Sequence, residues 1–275
     1  MLKKKRVNVF ILILVICALA VWIVKGNGNV AITEYTIENE KIPESFSGFK
    51  ILHISDLHNA ELGEDNEKVT LLAKTTDCDI IVMTGDMIDS RNTKVDVAVD
   101  FAKEMINIAP VYYVTGNHEA RVREDYEKFR EELIEIGVTV LENETVKIER
   151  NGEKISLVGI HDTGFDFNTG ADYLVKGAID ESDDYKVLLS HRPEYFEKYD
   201  GVDLIFSGHA HGGQIRLPFI GGLFAPGQGI FPKFDGGCYE KEGKAMVVSR
   251  GLGNSLFPVR INNNPEIVVV TLKRG

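Results

Sequence analysis

The chain has 275 residues, 44% hydrophobic and 27% charged, enough for one large domain whose core needs no disulfide staples. Three cysteines, Cys17, Cys78 and Cys238, without C-x-x-C spacing, exclude a disulfide framework and a thiolate zinc site. The formal charge is −11, and beyond the basic first 25 residues 26 basic groups face 42 acidic ones, a balance of −16 that excludes a nucleic-acid partner. A phosphate can still bind such a chain where bound cations reverse the local field.

Lys3, Lys4, Lys5 and Arg6 precede an apolar run from Val7 to Val24 broken only by Asn8. Eighteen helical residues rise roughly 27 Å, close to the ~30 Å hydrocarbon core of a bilayer. Ala18-Leu19-Ala20 has the spacing of a signal-peptidase site, but the apolar run continues through Val21 to Val24, which favours an uncleaved anchor. The basic end stays in the cytoplasm by the positive-inside rule, which places the rest of a single-pass cell-membrane protein on the extracytoplasmic side. The expected organisation is therefore a transmembrane signal-anchor over 1–26, a linker and edge strand over 27–47, and one catalytic domain over 48–275.

Beyond the linker, "VAITEYTIEN" alternates as an edge strand does. Three units of apolar strand, polar turn and helix follow. "FKILHIS" leads through "DLHN" to "NEKVTLLAKTT"; "DIIVMT" through "GDMID" to "VAVDFAKEMINI"; "PVYYVT" through "GNHEA" to "REDYEKFREELIEIG". Short β-branched runs alternating with longer helical stretches indicate βαβ units. In the last helix Tyr126, Phe129, Leu133 and Ile136 recur at three- and four-residue spacing, which marks a face turned to the core. From Val138 the strands shorten: Asn151-Gly152 signals a two-residue hairpin, and "YKVLLSH", "DLIFSGH", "AMVVSRGLG" and "EIVVVTL" read as four more strands. The pattern predicts an α/β fold of two packed mixed β-sheets flanked by helices.

Five of the apolar strands run straight into metal-capable residues. These are Asp56 and His58, then Asp86 and Asp89, then Asn117 and His118, then His191, then His209 and His211. In α/β sheets such strand ends converge on one crevice. Each alone reads better as a polar turn; the five together point to a site. Asp86 offers two oxygens and so can bridge two cations. Asp89 reads as a ligand or, better, as an acceptor that orients a histidine or caps the next helix. His53, inside its strand, reads as a packed core histidine. Neutral imidazoles with carboxylate and amide oxygens suit two divalent ions, with Mn, Fe or Zn ahead of Ca or Mg. Gly212 and Gly213 would let the backbone pass close beneath His209 and His211.

The order "DLH", "GDMID", "GNHE", "SHRP" and "GHAH", from Asp56 to His211, resembles the calcineurin-like metallophosphoesterase superfamily. The tail "GHAHGGQIRLP" with "VVSRGLGNSLFPVRINNNPEI" resembles its small membrane-associated bacterial branch that includes UDP-2,3-diacylglucosamine pyrophosphatase-like enzymes. The resemblance implies an αββα sandwich and a dinuclear centre with Asp56, His58 and His211 on one metal, Asn117, His191 and His209 on the other, and Asp86 between them. It implies His118 as the catalytic group that faces the phosphate, either as electrostatic stabiliser or as leaving-group acid, with Glu119 behind it. The implied reaction is attack of a hydroxide held between the metals on a phosphodiester or pyrophosphate, with a lipid-linked phosphoester among the candidate substrates. The phosphoprotein phosphatases of the superfamily carry arginine directly after the second Asp of "GDxxD"; here Ser90 intervenes before Arg91, which speaks against that activity. Phe219, Phe224, Phe231 and Phe234, interleaved with glycines, form either an irregular loop on its own domain or a lip touching membrane or acyl chain. The competing functional reading is a membrane-anchored module that binds metal without turnover.

Overall fold

The computed structural model describes residues 26–254 and 259–275. The anchor expected over Val7–Val24 lies outside them, and among the described residues no helix is long and apolar enough to cross a membrane.

In chain order the elements begin β1 (Ala31–Asn39), β2 (Lys50–Ile54), α1 (Glu67–Thr75), β3 (Ile80–Thr84), α2 (Val95–Ile106), β4 (Val111–Val114), α3 (Asn117–Arg121) and α4 (Arg123–Glu135). The middle of the chain supplies β5 (Thr139–Val140), β6 (Glu144–Arg150), β7 (Glu153–Gly159), α5 (Ala171–Ala178), β8 (Tyr185–Leu189) and β9 (Leu204–Ser207). Two miniature hairpins come next, β10 (Arg216–Leu217) with β11 (Gly221–Gly222) and β12 (Phe224–Ala225) with β13 (Gly229–Ile230). The chain closes with β14 (Gly237–Lys241), β15 (Lys244–Val248) and β16 (Glu266–Arg274).

Two six-stranded sheets result, ordered β1-β16-β2-β3-β4-β5 and β14-β15-β9-β8-β7-β6. Both are mixed: β2, β3 and β4 run parallel beside an antiparallel β16, and β7, β8, β9 and β15 run parallel between antiparallel edge partners. Strand alternation divides the apolar residues among layers. Ile51 and Val82 from the first sheet meet Val187, Leu189 and Phe206 from the second in the central core, while Leu52, Ile81 and Met83 face α1, α2 and α4. Leu188, Ile205 and Met246 face α5 on the far side. The order of layers is helix, sheet, sheet, helix, as the apolar runs predict.

Local chemistry explains the elements. Tyr126, Phe129 and Leu133 are buried and Ile136 packs part-buried just beyond α4. Such burial stabilises by roughly 1.5–3 kcal/mol per side chain. Asn151 and Gly152 both take positive φ, 53° and 85°, the two-residue turn that matches the twist of β6 and β7. The sequence reading passed over α5: its Ala171, Val175 and Ala178 do face the core, but small residues and Gly177 weaken the apolar signal. The Phe/Gly stretch carries the two hairpins, whose two-residue strands are too short to show alternation; its Phe234 packs on the domain against Phe196 and Tyr239, while Phe219, Phe224 and Phe231 are exposed. His53 is a core histidine: its Nε2 lies 2.8 Å from Thr84 Oγ1, its ring meets Phe206 edge-on, and burial lowers its pKa to about 3.

Candidate metal centre

The seven residues expected as metal ligands, and His118, all converge in space although they come from five strand ends. β2, β3 and β4 deliver Asp56, His58, Asp86, Asn117 and His118 from one sheet; β8 and β9 deliver His191, His209 and His211 from the other. All eight are buried. Asp56, His58, Asp86, His209 and His211 have left-handed backbones, with φ between 48° and 65°. Non-glycine residues hold that conformation only where the surroundings fix it, as they do at functional sites.

The loops are laced together before any ion is considered. Asp56 N–H donates to Gly85 O and His58 N–H to Asp86 O, so the turn after β2 runs along the turn after β3. His209 N–H donates to both Asp56 oxygens at 3.1 Å, and His118 N–H donates to Asp86 Oδ1 at 2.7 Å. Glu119, fully buried, accepts from the backbone N–H groups of Asp86, Met87, Ile88 and Gly116. Burial and the Asp86 charge push its carboxyl up to about 7, opposed by those N–H donors. Its role is therefore to brace two loops rather than to sit behind His118. Gly116 is required by proximity, since a Cβ there would strike the Asp86 carboxylate. Gly212, with φ 62°, would meet the Asn263 side chain with a Cβ.

Two clusters of donor atoms share one carboxylate oxygen. In the first, His211 Nε2 lies 3.3 Å from Asp56 Oδ1 and 3.1 Å from His58 Nε2, which lies 3.5 Å from Asp86 Oδ2. In the second, His191 Nε2 lies 3.3 Å from the same Asp86 Oδ2, 3.2 Å from Asn117 Oδ1 and 3.1 Å from His209 Nδ1.

His191 shows why such a cluster fits a cation. Its Nδ1 is 2.7 Å from the Thr84 carbonyl, which can only accept, so Nδ1 carries a proton and Nε2 is turned toward Asp86 Oδ2, Asn117 Oδ1 and His209 Nδ1. A proton on Nε2 would serve one of them; a metal ion among them serves all. Burial works against the charged ring, but Asp86 and Asp56 outweigh it and raise its pKa to about 10, the direction expected of a pocket that favours positive charge. His58 is lowered to about 3 by burial, and burial with the neighbouring His191 and His58 holds His209 and His211 well below the usual range. They present neutral imidazoles, the form that ligates metals.

Outer contacts steer these rings. Asp89 Oδ2 lies 4.0 Å from His58 Nδ1 and its Oδ1 lies 3.4 Å from His118 Nδ1, so its charge sits beside both rings, and Arg91 forks onto it. The sequence reading missed two such residues. Glu194 Oε1 stands 3.9 Å from His209 Nε2, and the buried Arg260 guanidinium stands 3.5 Å from His211 Nδ1. Glu194 follows His191 by three positions with no spacing rule to mark it; Arg260 is 49 residues from His211 and is brought near only by the packing of the chain end.

A four-layer α/β/β/α sandwich whose strand ends gather two overlapping His/carboxylate clusters defines a metal-dependent hydrolase. A family model described as calcineurin-like phosphoesterase matches residues 49–213. The chain belongs to the calcineurin-like phosphoesterase family. It is 32% identical over 251 residues to the Bacillus subtilis protein named uncharacterized metallophosphoesterase YkuE, covering 88% of this chain and 85% of that one. It is 28% identical over 231 residues to the Escherichia coli protein named phosphodiesterase YaeI, covering 82% of each. The crystal structure of TT1561 from Thermus thermophilus shares the fold, with a TM-score of 0.50 at 15% identity over 75% of this chain and 91% of that one.

Proposed function

We propose that this chain is a dinuclear phosphohydrolase acting on a phosphodiester or pyrophosphate, with Asp56, His58 and His211 holding one ion, Asn117, His191 and His209 the other, and Asp86 bridging. The observation that carries the reading is the single atom Asp86 Oδ2, which belongs to both donor clusters. Two divalent ions bound there would supply Lewis-acid charge to the phosphoryl oxygens and lower the pKa of an attacking water. His118 supplies a hydrogen bond to the charge that develops on the phosphoryl group. Ser90 N–H donates to its Nδ1 at 3.0 Å, which leaves the proton of the neutral ring on Nε2, and burial keeps the ring neutral by lowering its pKa. The Ser90 that interrupts the phosphoprotein-phosphatase pattern thus sets the His118 tautomer.

Metal-stripped protein reloaded with Mn²⁺, Fe²⁺ or Zn²⁺ tests the reading. Elemental analysis should find two ions per chain, and bis-p-nitrophenyl phosphate turnover should return with them. Ions without turnover would favour the non-catalytic binding module, and no bound ions would remove both readings.

A cavity of about 450 Å³ opens beside Asn117, lined in part by Arg121, Arg123 and Arg192. Arg192 forks onto Asp162; among the described residues Arg121 and Arg123 form no ion pair on an otherwise acidic chain, and Arg123 is steadied by donating to the Gly164 and Phe165 carbonyls. They are positioned to hold the anionic substrate, because a guanidinium matches phosphate oxygens. Arg121→Ala with Arg123→Ala should raise KM for an anionic phosphoester by roughly tenfold and leave kcat within about twofold, the signature of lost uniform binding. Steady-state kinetics at low and high salt check this. A lipid-linked substrate is the version of this reading that the apolar hairpins beyond His211 support.

A further inference from the structure

We infer that the two hairpins after His211, together with Val259, are the face by which the chain rests on a lipid bilayer, with the metal centre opening at the lipid–water boundary. The inference extends the phosphohydrolase reading by saying where its site is held.

Exposed apolar side chains concentrate on this face. Phe219 is fully exposed, Ile230 is 70% and Ile220 65% exposed, and Phe224, Phe231 and Val259 are exposed as well. The hairpins lie side by side: Leu223 N–H donates to Ile215 O, Phe231 N–H donates to Leu223 O, and the Gln214 side chain donates to Val259 O. A contiguous apolar patch on a soluble surface marks an interaction site.

The backbone supports the same conclusion. Phe219 has φ 67° and Phe231 φ 53°, a region costly for bulky side chains. Glycine takes this region without cost, and Gly221, Gly227 and Gly229 do so in the same hairpins. Two strained aromatic residues facing water are not repaid by core packing. Contact with an apolar partner repays them.

The chain path identifies that partner. Asn27 Nδ2 donates to Arg260 O at 2.9 Å and Arg260 N–H donates to Asn27 Oδ1 at 2.7 Å. The next residue, Ile261, bridges to Ile215 and accepts from Arg216 N–H at the start of β10. The first described residues are therefore pinned beside the base of the first hairpin. The apolar run ends at Val24, three residues earlier, within about 11 Å of extended chain. A sequence run long enough to span a bilayer thus precedes, by three residues, a point held beside the base of the first hairpin. Arg260 also ties this corner to the metal centre, with its guanidinium 3.5 Å from His211 Nδ1. A second copy of the chain would cover the patch but would leave the adjoining run without a role.

Trp22 is the sole tryptophan, so a Trp22→Phe background gives a silent full-length chain. Phe219→Trp, Ile230→Trp and, on α5 away from this face, Tyr173→Trp would be reconstituted into phosphatidylcholine–phosphatidylglycerol vesicles with and without brominated acyl chains. Phe219→Trp and Ile230→Trp should each lose roughly half their emission to the brominated lipid and Tyr173→Trp about a tenth or less, as expected for side chains buried to the headgroup–acyl boundary. Quenching at positions 219 and 230 no greater than at 173 overturns the inference, including the case in which a second copy covers the patch. Turnover of bis-p-nitrophenyl phosphate on the same samples reports separately on the hydrolase reading.

Discussion

Replacing Asp86 by alanine should lower kcat/KM on bis-p-nitrophenyl phosphate by a factor on the order of 10³ or more, because it removes a ligand from both halves of a two-metal clamp at once. The size of the effect follows from the position of two atoms. Oδ2 faces His58 Nε2 and His191 Nε2, while Oδ1 accepts the His118 N–H, so the carboxylate joins both clusters and fixes the backbone of His118. Elemental analysis should show metal content falling from two ions per chain to one or none. The fold should persist. Asp86 helps to raise the Asp56 carboxyl to about 6, after burial itself, but His191 and His58 outweigh burial and hold its own carboxyl well below the usual range, so its charge is a net favourable partner in the metal-free protein. Thermal denaturation of metal-free samples near neutral pH should therefore place Asp86→Asn below the parent chain while a cooperative transition is kept. Turnover within about tenfold of the parent would exclude the bridging role.

Most of the scaffold was legible because its strands announce themselves twice, first as short β-branched runs and then by the polar cluster that ends each run. "IVMTGD" and "LIFSGH" place Asp86 and His209 at strand ends before any coordinates are needed. The pairing of ligands was not legible in spacing. It depends on which sheet each strand joins, and His191 meets Asn117 only because β8 in one sheet and β4 in the other end on the same side. Backbone partners were invisible for the same reason. The Thr84 carbonyl that sets the His191 tautomer has no side-chain signature, and neither do the four N–H groups that converge on Glu119. Arg260 and Glu194 could have been suspected only as polar residues in otherwise apolar or turn-forming stretches.

His118 separates two mechanisms that the motif alone leaves joined. A stabiliser of non-bridging oxygens and an acid for the leaving oxygen both need a group near the phosphate, but only the acid makes the loss depend on the leaving group. The tautomer and the neutral ring favour the stabiliser: Nδ1 accepts from Ser90 N–H, with the Ser90 hydroxyl 3.2 Å away, so Nε2–H donates a hydrogen bond, and giving that proton up would leave an imidazolate. Removing one such donor to developing charge typically costs about 10²–10³-fold in kcat. His118→Ala should therefore lose about 10²-fold on bis-p-nitrophenyl phosphate and on an alkyl phosphodiester alike. His118→Asn, which can still donate a hydrogen bond, should recover part of that loss on both esters. Both variants should retain two metal ions, since His118 belongs to neither cluster that contains Asp86 Oδ2. A plot of log kcat against leaving-group pKa is the decisive measurement: a steeper slope in the variants identifies the acid, and an equal vertical offset across all esters identifies electrostatic stabilisation instead.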